Sequence, residues 1–149
     1  MINIKRTNSD DIDFINLVAL LDQDLAIRDG KDHAFYNQFN KTDKIKHAIV
    51  YYEDNIPVGC GAFREKEPGK TEIKRMYVHP DHRKKGIASA VLKELEIWAK
   101  EAGFTYTILE TGKNQPEAIS LYQKLNYTII PNYPPYEKMD NSVCMKKTL

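Results

Sequence analysis

Apolar and polar residues change period several times along the chain, and each change marks an element. Ile2 to Arg6 alternates, as a half-buried strand does. The period then lengthens. Ile12, Ile15, Leu17, Val18, Leu21 and Leu25 recur at helical spacing and predict a helix to about Ala26, with Ser9 or Asp10 as its N-cap. Asp29-Gly30-Lys31-Asp32 is a polar break, and residues 33–46 fit neither period. Phe35, Tyr36 and Phe39 there make either a short helical face or an aromatic loop. Three β-rich runs follow, His47–Glu53, Ile56–Arg64 and Thr71–Val78. Turns at Asp54-Asn55 and Glu67-Pro68-Gly69-Lys70 join them into a meander. Gly59 and Gly61 inside the second run imply a bulge or close packing.

From Ile87 the helical period returns with Val91, Leu92, Leu95, Trp98 and Ala99, and Gly103 ends it. Tyr106–Glu110 is an apolar strand and Thr111–Gln115 a polar loop. Pro116 opens a helix to about Leu125, which Asn126 closes in a left-handed conformation. Thr128–Ile130 begins another strand, 131–139 is a proline- and tyrosine-rich loop, and Ser142–Lys147 is a closing antiparallel strand. The strand–helix–strand order from 71 to 110 requires a right-handed crossover between parallel strands. These elements predict one α/β domain over residues 1–149, built on a mixed sheet.

Length and composition agree with that picture. A chain of 149 residues suits one core, and shares of 42% hydrophobic and 29% charged residues are those of a globular domain. The net charge of +1 lacks the basic excess of a nucleic-acid binder. No apolar run approaches the ~18 residues of a membrane span, and the N-terminus lacks the apolar core of a signal peptide. Cys60 and Cys144, alone in strand-like runs, fit a reducing cytoplasm, and whether folding brings them together stays open. His79 and His82 are close in sequence, but a zinc site needs three or four ligands, so they read as turn histidines and no metal is expected.

The chemistry concentrates between Glu72 and Ala90. A strand ends at His79-Pro80-Asp81, a basic turn Arg83-Lys84-Lys85-Gly86 follows, and a helix opens at Ile87. The first N–H groups of that helix, from about Gly86 to Ser89, have no intrahelical partner and favour an anion. Three cations crowd the same turn, so the site calls for a diphosphate or another polyanion. Two phosphate cradles fail on spacing. Gly69-Lys70-Thr71 ends like a P-loop, and Gly59-Cys60-Gly61 begins like a dinucleotide fingerprint, but each needs a glycine where Arg64 stands.

Arg83-Lys84-Lys85-Gly86-Ile87-Ala88 resembles the acetyl-CoA signature of the GNAT superfamily of N-acetyltransferases. Asn114, Ala118, Tyr122, Lys124 and Tyr127 resemble its second block, with Asn126 where glycine is common. The two blocks cover residues 71–130 in the family's order. The resemblance implies a central mixed, mostly antiparallel sheet, splayed open at the 71–78 and 106–110 strands, with helices on both faces. It implies that acetyl-CoA's pantetheine arm bonds the backbone of Met76, Tyr77 and Val78. Its pyrophosphate would sit on the loop of Arg83, Lys84, Lys85, Gly86, Ile87, Ala88 and Ser89, with Asn114 as a further contact. A homodimer is common in the family.

Acetyl transfer to nitrogen requires a neutral amine, yet a free alkyl amine has a pKa of ~10. A general base or water chain must remove its proton. Glu72 is the first candidate, matching the base glutamate of the family's histone-type members, and a cross-strand ion pair is its other reading. Glu110 is the alternative base. Tyr122 is the candidate general acid, matching a family tyrosine that faces the sulfur. Ala118, Leu121, Tyr122 and Leu125 also make an ordinary apolar helix face. In related folds the 131–139 region borders the acceptor mouth, so Tyr133 and Tyr136 are expected either to line it, opposite the 29–45 segment, or to form a surface cover or a dimer contact. The expected function is acetyl transfer from acetyl-CoA to a small amine, amino acid or peptide. The competing reading is an acetyl-CoA-binding sensor without catalysis.

Overall fold

The computed structural model describes residues 1–38 and 44–149. Phe39, and with it part of the expected 29–45 wall, lies outside the described residues. The strands are β1 Ile2–Thr7, β2 His47–Glu53, β3 Ile56–Glu67, β4 Lys70–Val78, β5 Tyr106–Gly112, β6 Thr128–Ile130 and β7 Ser142–Thr148. The helices are α1 Ile12–Asp29, α2 His33–Asn37, α3 Ile87–Glu101 and α4 Pro116–Lys124. The strands form one sheet in the order β1-β2-β3-β4-β5-β7-β6. Every neighbouring pair is antiparallel except β4 and β5, which run parallel because α3 carries the chain between them. That pair aligns Lys70 with Tyr106, Thr71 with Thr107 and Glu72 with Ile108, and then stops. The sheet is therefore splayed beyond Glu72, as the resemblance implied.

Helices cover both faces. On one, α3 buries Val91, Leu92, Leu95 and Ala99 against Ile49, Phe63, Ile73 and Leu109. On the other, α1 buries Phe14, Leu17, Val18 and Leu21 against Ala48, Val50, Cys60 and Ala62. The rest of that second face is roofed by the 131–139 loop, where Tyr136 packs with Tyr36 and Cys144. Cys60 and Cys144 are free thiols, buried in separate clusters.

Helix α1 departs from the sequence expectation at both ends and on its face. Its N-cap is Asp11, whose side chain accepts from the amides of Asp13 and Phe14. Asn8 takes the Asp10 amide first, so the chain turns once before the helix opens. Ile12 and Ile15, expected inside, are 64% and 44% exposed. The buried stripe starts at Phe14 instead and keeps the i, i+3, i+4, i+7 spacing through Leu21. The helix runs on to Asp29, and the expected polar break at 29–32 contains a 3-10 turn, Gly30–Asp32. Strands β3 and β5 outrun their predicted ends, reaching Glu67 and Gly112.

The two strand glycines do both things expected of them. Between Cys60 and Ala62 the β3–β4 register shifts, leaving Gly61 opposite both Arg75 and Met76. A Cβ on Gly61 would lie 2.5 Å from the Met76 sulfur and 2.9 Å from methyls of Leu95 and Val91. Glycine there lets α3 settle onto the sheet. Gly61→Ala is expected to lower stability by about 1–3 kcal/mol through overpacking, measured by urea unfolding.

Candidate active site

The residues that could hold an anion lie between β4 and α3. After Val78 the chain makes a 3-10 turn, Pro80–His82, and two left-handed residues follow, Lys84 (φ 66°) and Gly86 (φ 80°). No atom lies within 4 Å of a Cβ built on Gly86, so its left-handed φ, not crowding, is what favours glycine. Gly86 is the N-cap of α3, and no side chain caps that helix. The Ala90 amide bonds the Gly86 carbonyl, which leaves the amides of Ile87, Ala88 and Ser89 at the helix mouth. Arg83 braces the turn, its Nε donating to the Val78 carbonyl at 2.9 Å. Lys85 and His82 both reach Glu53, at 3.4 and 3.3 Å. An uncapped helix start beside three cations fits a phosphate-bearing ligand.

Beyond the parting, β4 from Ile73 to Val78 has no ladder with β5, although Tyr77 and Val78 still pair with β3. The predicted backbone stretch Met76–Val78 thus lies on an opened strand edge. A cavity of about 90 Å³ begins at the parting. Ile73, Met76, Leu109 and Tyr122 line it, and so do Asp29, Tyr36, Glu72, Lys74, Arg75, Glu110 and Tyr136, which sit toward α1 and the tyrosine loop.

The two candidate bases have different surroundings. Glu72 is 1% exposed and takes the Arg64 Nε at 3.1 Å, the Tyr133 hydroxyl at 2.8 Å and the Lys66 ammonium at 3.7 Å. Arg64 is its register partner across β3 and β4, so the cross-strand pair read as an alternative is present. Glu110 is pushed up to about 7, mainly by burial, with Asp29 and Glu72 adding to the rise. A hydrogen bond with Ser142 and the nearby Lys74 ammonium oppose it. The Ser142 hydroxyl in turn lies 2.7 Å from that of Tyr36. Burial lowers Lys74 to about 8 and raises Asp29. Burial, then the charge of Glu110, raises the Tyr122 phenol, so it stays protonated.

Asn114 sits at the junction of α1 and α4. Its Nδ2 donates to the Arg28 carbonyl at 3.0 Å, and Arg28 returns a bond to the Asn114 carbonyl and pairs with Glu117. The cleft also gathers Asp29 and Tyr36, from the segment expected as its other wall, and Lys74 and Arg75, which with Ser142 beside Glu110 were not singled out from sequence. Two adjacent cations within an otherwise apolar strand run were the available signal for Lys74 and Arg75.

Residues 16–127 match the Acetyltransferase (GNAT) family. An IAA acetyltransferase of Azospirillum brasilense is 38% identical over 102 residues, 68% of this chain and 67% of that protein. A Klebsiella pneumoniae structure, provisionally assigned as an acyl-CoA N-acyltransferase, superposes with a TM-score of 0.82 at 30% identity, covering 100% of this chain and 98% of that one. The PaiA N-acetyltransferase of Thermoplasma acidophilum, solved with coenzyme A, has the same fold, with a TM-score of 0.74 at 15% identity, covering 100% and 99% of the two chains. No helix among the described residues is long and apolar enough to cross a membrane.

The burial of Glu110 has a consequence for stability. Its folded-state pKa lies above its ordinary 4.5. The stability this contributes is full below pH 4.5 and is lost as pH rises through about 7. Glu110→Gln should therefore gain about 2–3 kcal/mol relative to the parent between pH 5 and pH 8, read from urea unfolding at the two pH values.

Proposed function

The chain belongs to the GNAT family of acetyltransferases, and on that premise we propose that it transfers the acetyl group of acetyl-CoA to a primary amine in a ternary complex. The acceptor is a small molecule, an amino acid or a peptide. One observation carries this reading: the uncapped start of α3 lies at the end of the same strand, β4, whose other edge opens into a cleft containing Glu110 and Tyr122. The amides of Ile87, Ala88 and Ser89, with Gly86 and the cations Arg83, Lys84 and Lys85, would hold the diphosphate. The backbone of Met76, Tyr77 and Val78 would take the pantetheine arm. Asn114, the further contact the resemblance implied, is tied to Arg28 next to the cavity-lining Gln115.

Acetyl-CoA supplies an acetyl thioester activated toward nitrogen. As the acceptor nitrogen forms its bond to the carbonyl carbon, it must lose a proton, and the C–S bond must break. Glu110 is our choice for the base. Its pKa of about 7 makes it a carboxylate in useful amount at neutral pH and a base strong enough to share an ammonium proton. Its proton then leaves to solvent. Glu72, the first candidate from sequence, is held by Arg64, Lys66 and Tyr133. It serves here to anchor the tyrosine loop. Tyr122 lines the same cleft and gives its proton to the departing thiolate, recovering it from solvent. We place the reaction in the cytoplasm, whose reducing conditions suit the two buried thiols.

Steady-state kinetics with acetyl-CoA and a panel of amines, following free thiol, test the assignment. Tyr122→Phe should lower kcat about 10–1,000-fold with little change in KM for acetyl-CoA. Glu110→Gln should lower kcat/KM about 100-fold and abolish the acidic limb near pH 7. The groups facing that carboxylate are Ser142, Asp29, Glu72, Lys74, Tyr36, Tyr122, Tyr136 and Cys144. Glu72→Gln should leave the limb in place. A limb that vanishes in Glu72→Gln and survives in Glu110→Gln reverses the assignment, and coenzyme binding without thiol release across the panel favours the sensor.

A further inference from the structure

Two hydroxyls stand in line behind Glu110. The sheet register supplies the first. Glu110 pairs with Cys144 and Gly112 with Ser142, so Ser142 is the diagonal neighbour of Glu110 and projects from the same face. Its hydroxyl hydrogen-bonds the Glu110 carboxyl group. Ser142 itself has little freedom. Its amide donates to the Met139 carbonyl at 3.0 Å, and its carbonyl accepts from Asn132 Nδ2 at 3.2 Å. The second hydroxyl comes from the opposite wall of the cleft. Tyr36, on α2, places its phenol oxygen 2.7 Å from the Ser142 hydroxyl, and its ring stacks 6.2 Å from that of Tyr136. Tyr36 and Ser142 are each 4% exposed, so water has little access to compete for either hydroxyl.

The number of hydrogens decides which way this chain runs. An ionised carboxylate only accepts, so Ser142 gives it its one hydrogen. The Ser142 oxygen is then the acceptor for Tyr36. Burial raises the Tyr36 phenol to about 12, so it keeps the proton it donates. Resting on the choice of Glu110 as base, we propose that Tyr36 and Ser142 are positioning residues, a relay of two hydroxyls that fixes the Glu110 carboxylate and favours its ionised, proton-accepting form. Hydrogen bonds to an ionised acceptor are the stronger ones, and donors in series polarise one another, so the outer bond reinforces the inner. A carboxylate has two oxygens. Ser142 needs one, which leaves the other for the acceptor nitrogen. The remaining titratable groups around Glu110 come from several elements. They are Asp29 on α1, Glu72 and Lys74 on β4, Tyr122 on α4, Tyr136 in the tyrosine loop and Cys144 on β7. Tyr36→Phe and Ser142→Ala leave all of these in place.

Carbon-13 NMR of the Glu110 side-chain carboxyl, assigned by its loss in Glu110→Gln, follows protonation on the intact protein without turnover. Ser142→Ala should raise the Glu110 midpoint by about 1 pH unit, the worth of one hydrogen bond to an anion. Tyr36→Phe removes only the outer hydroxyl and should raise it by less. The double variant should titrate where Ser142→Ala does, since Tyr36 acts only through Ser142. The acidic limb of kcat/KM should move with the NMR midpoint in each variant. A midpoint unmoved or lowered in either single variant, or shifts that add in the double variant, overturns the relay and leaves the transferase reading standing. A midpoint that rises while the kinetic limb stays supports the relay and removes Glu110 as the base, so the two readings fail separately.

Discussion

Three residues of parallel pairing between β4 and β5, followed by separation, constrain everything around the site. Backbone N–H and C=O groups in the middle of a sheet need partners. Where the strands part, those of β4 are left for a ligand or for water. Two features keep the parting open. On one side β4 follows β3 through a bulge at Arg75, and bulges add twist. On the other side β5 is held to β7 by seven consecutive register pairs, from Tyr106 with Thr148 to Gly112 with Ser142. Strand β5 cannot follow β4 without giving up that ladder. Gly59 and Gly61 complete the arrangement by letting α3 approach β3 closely, which brings the helix start to the end of β4.

Lys74 and Arg75 line the same cavity as Glu72 and Glu110, and burial makes each charge there depend on its neighbours. Glu72 and Glu110 lie on neighbouring strands and line one cavity, but they have different environments. One has an arginine, a lysine and a phenol as partners. The other has a serine hydroxyl and two nearby carboxylates. Of the two, burial pushes Glu110 up toward the neutral range, which suits it to proton transfer.

Much of this was legible from the residues because local chemistry decides it. Gly86, Asn126 and the Asp54-Asn55 turn all adopt the left-handed backbone their types favour. The strands and α3 follow from period alone. Helix α1 did not, because Asn8, Ser9, Asp10 and Asp11 are all competent caps, and the choice among them involves Lys5, which pairs with Asp11 from β1. Ile12 and Ile15 misled because apolar residues are allowed at a surface. The contrast between Glu72 and Glu110 was hidden for a different reason. The cross-strand pair with Arg64 was foreseen, but the rest depends on Tyr133 and Ser142, which the fold brings from separations that no motif spans.

The tyrosine loop shows how residues away from the reacting groups set the site's geometry. Residues 131–139 have no ladder of their own, so their backbone must be satisfied otherwise. Asn132 does part of this, its Nδ2 donating to the carbonyls of Tyr136, Met139 and Ser142, each at 3.2 Å. Lys66 donates to the Pro134 carbonyl and lies 4.3 Å from the Tyr133 ring centre, and Tyr133 bonds Glu72. The loop is thereby fixed at both its own turn and the sheet beneath it. Since Asn132 holds the carbonyl of Ser142, whose hydroxyl bonds Glu110, the loop and the proposed base share one scaffold. The ion pair at Glu72 can then govern the proposed base through that scaffold, because orientation of the reacting groups depends on how firmly that wall is held.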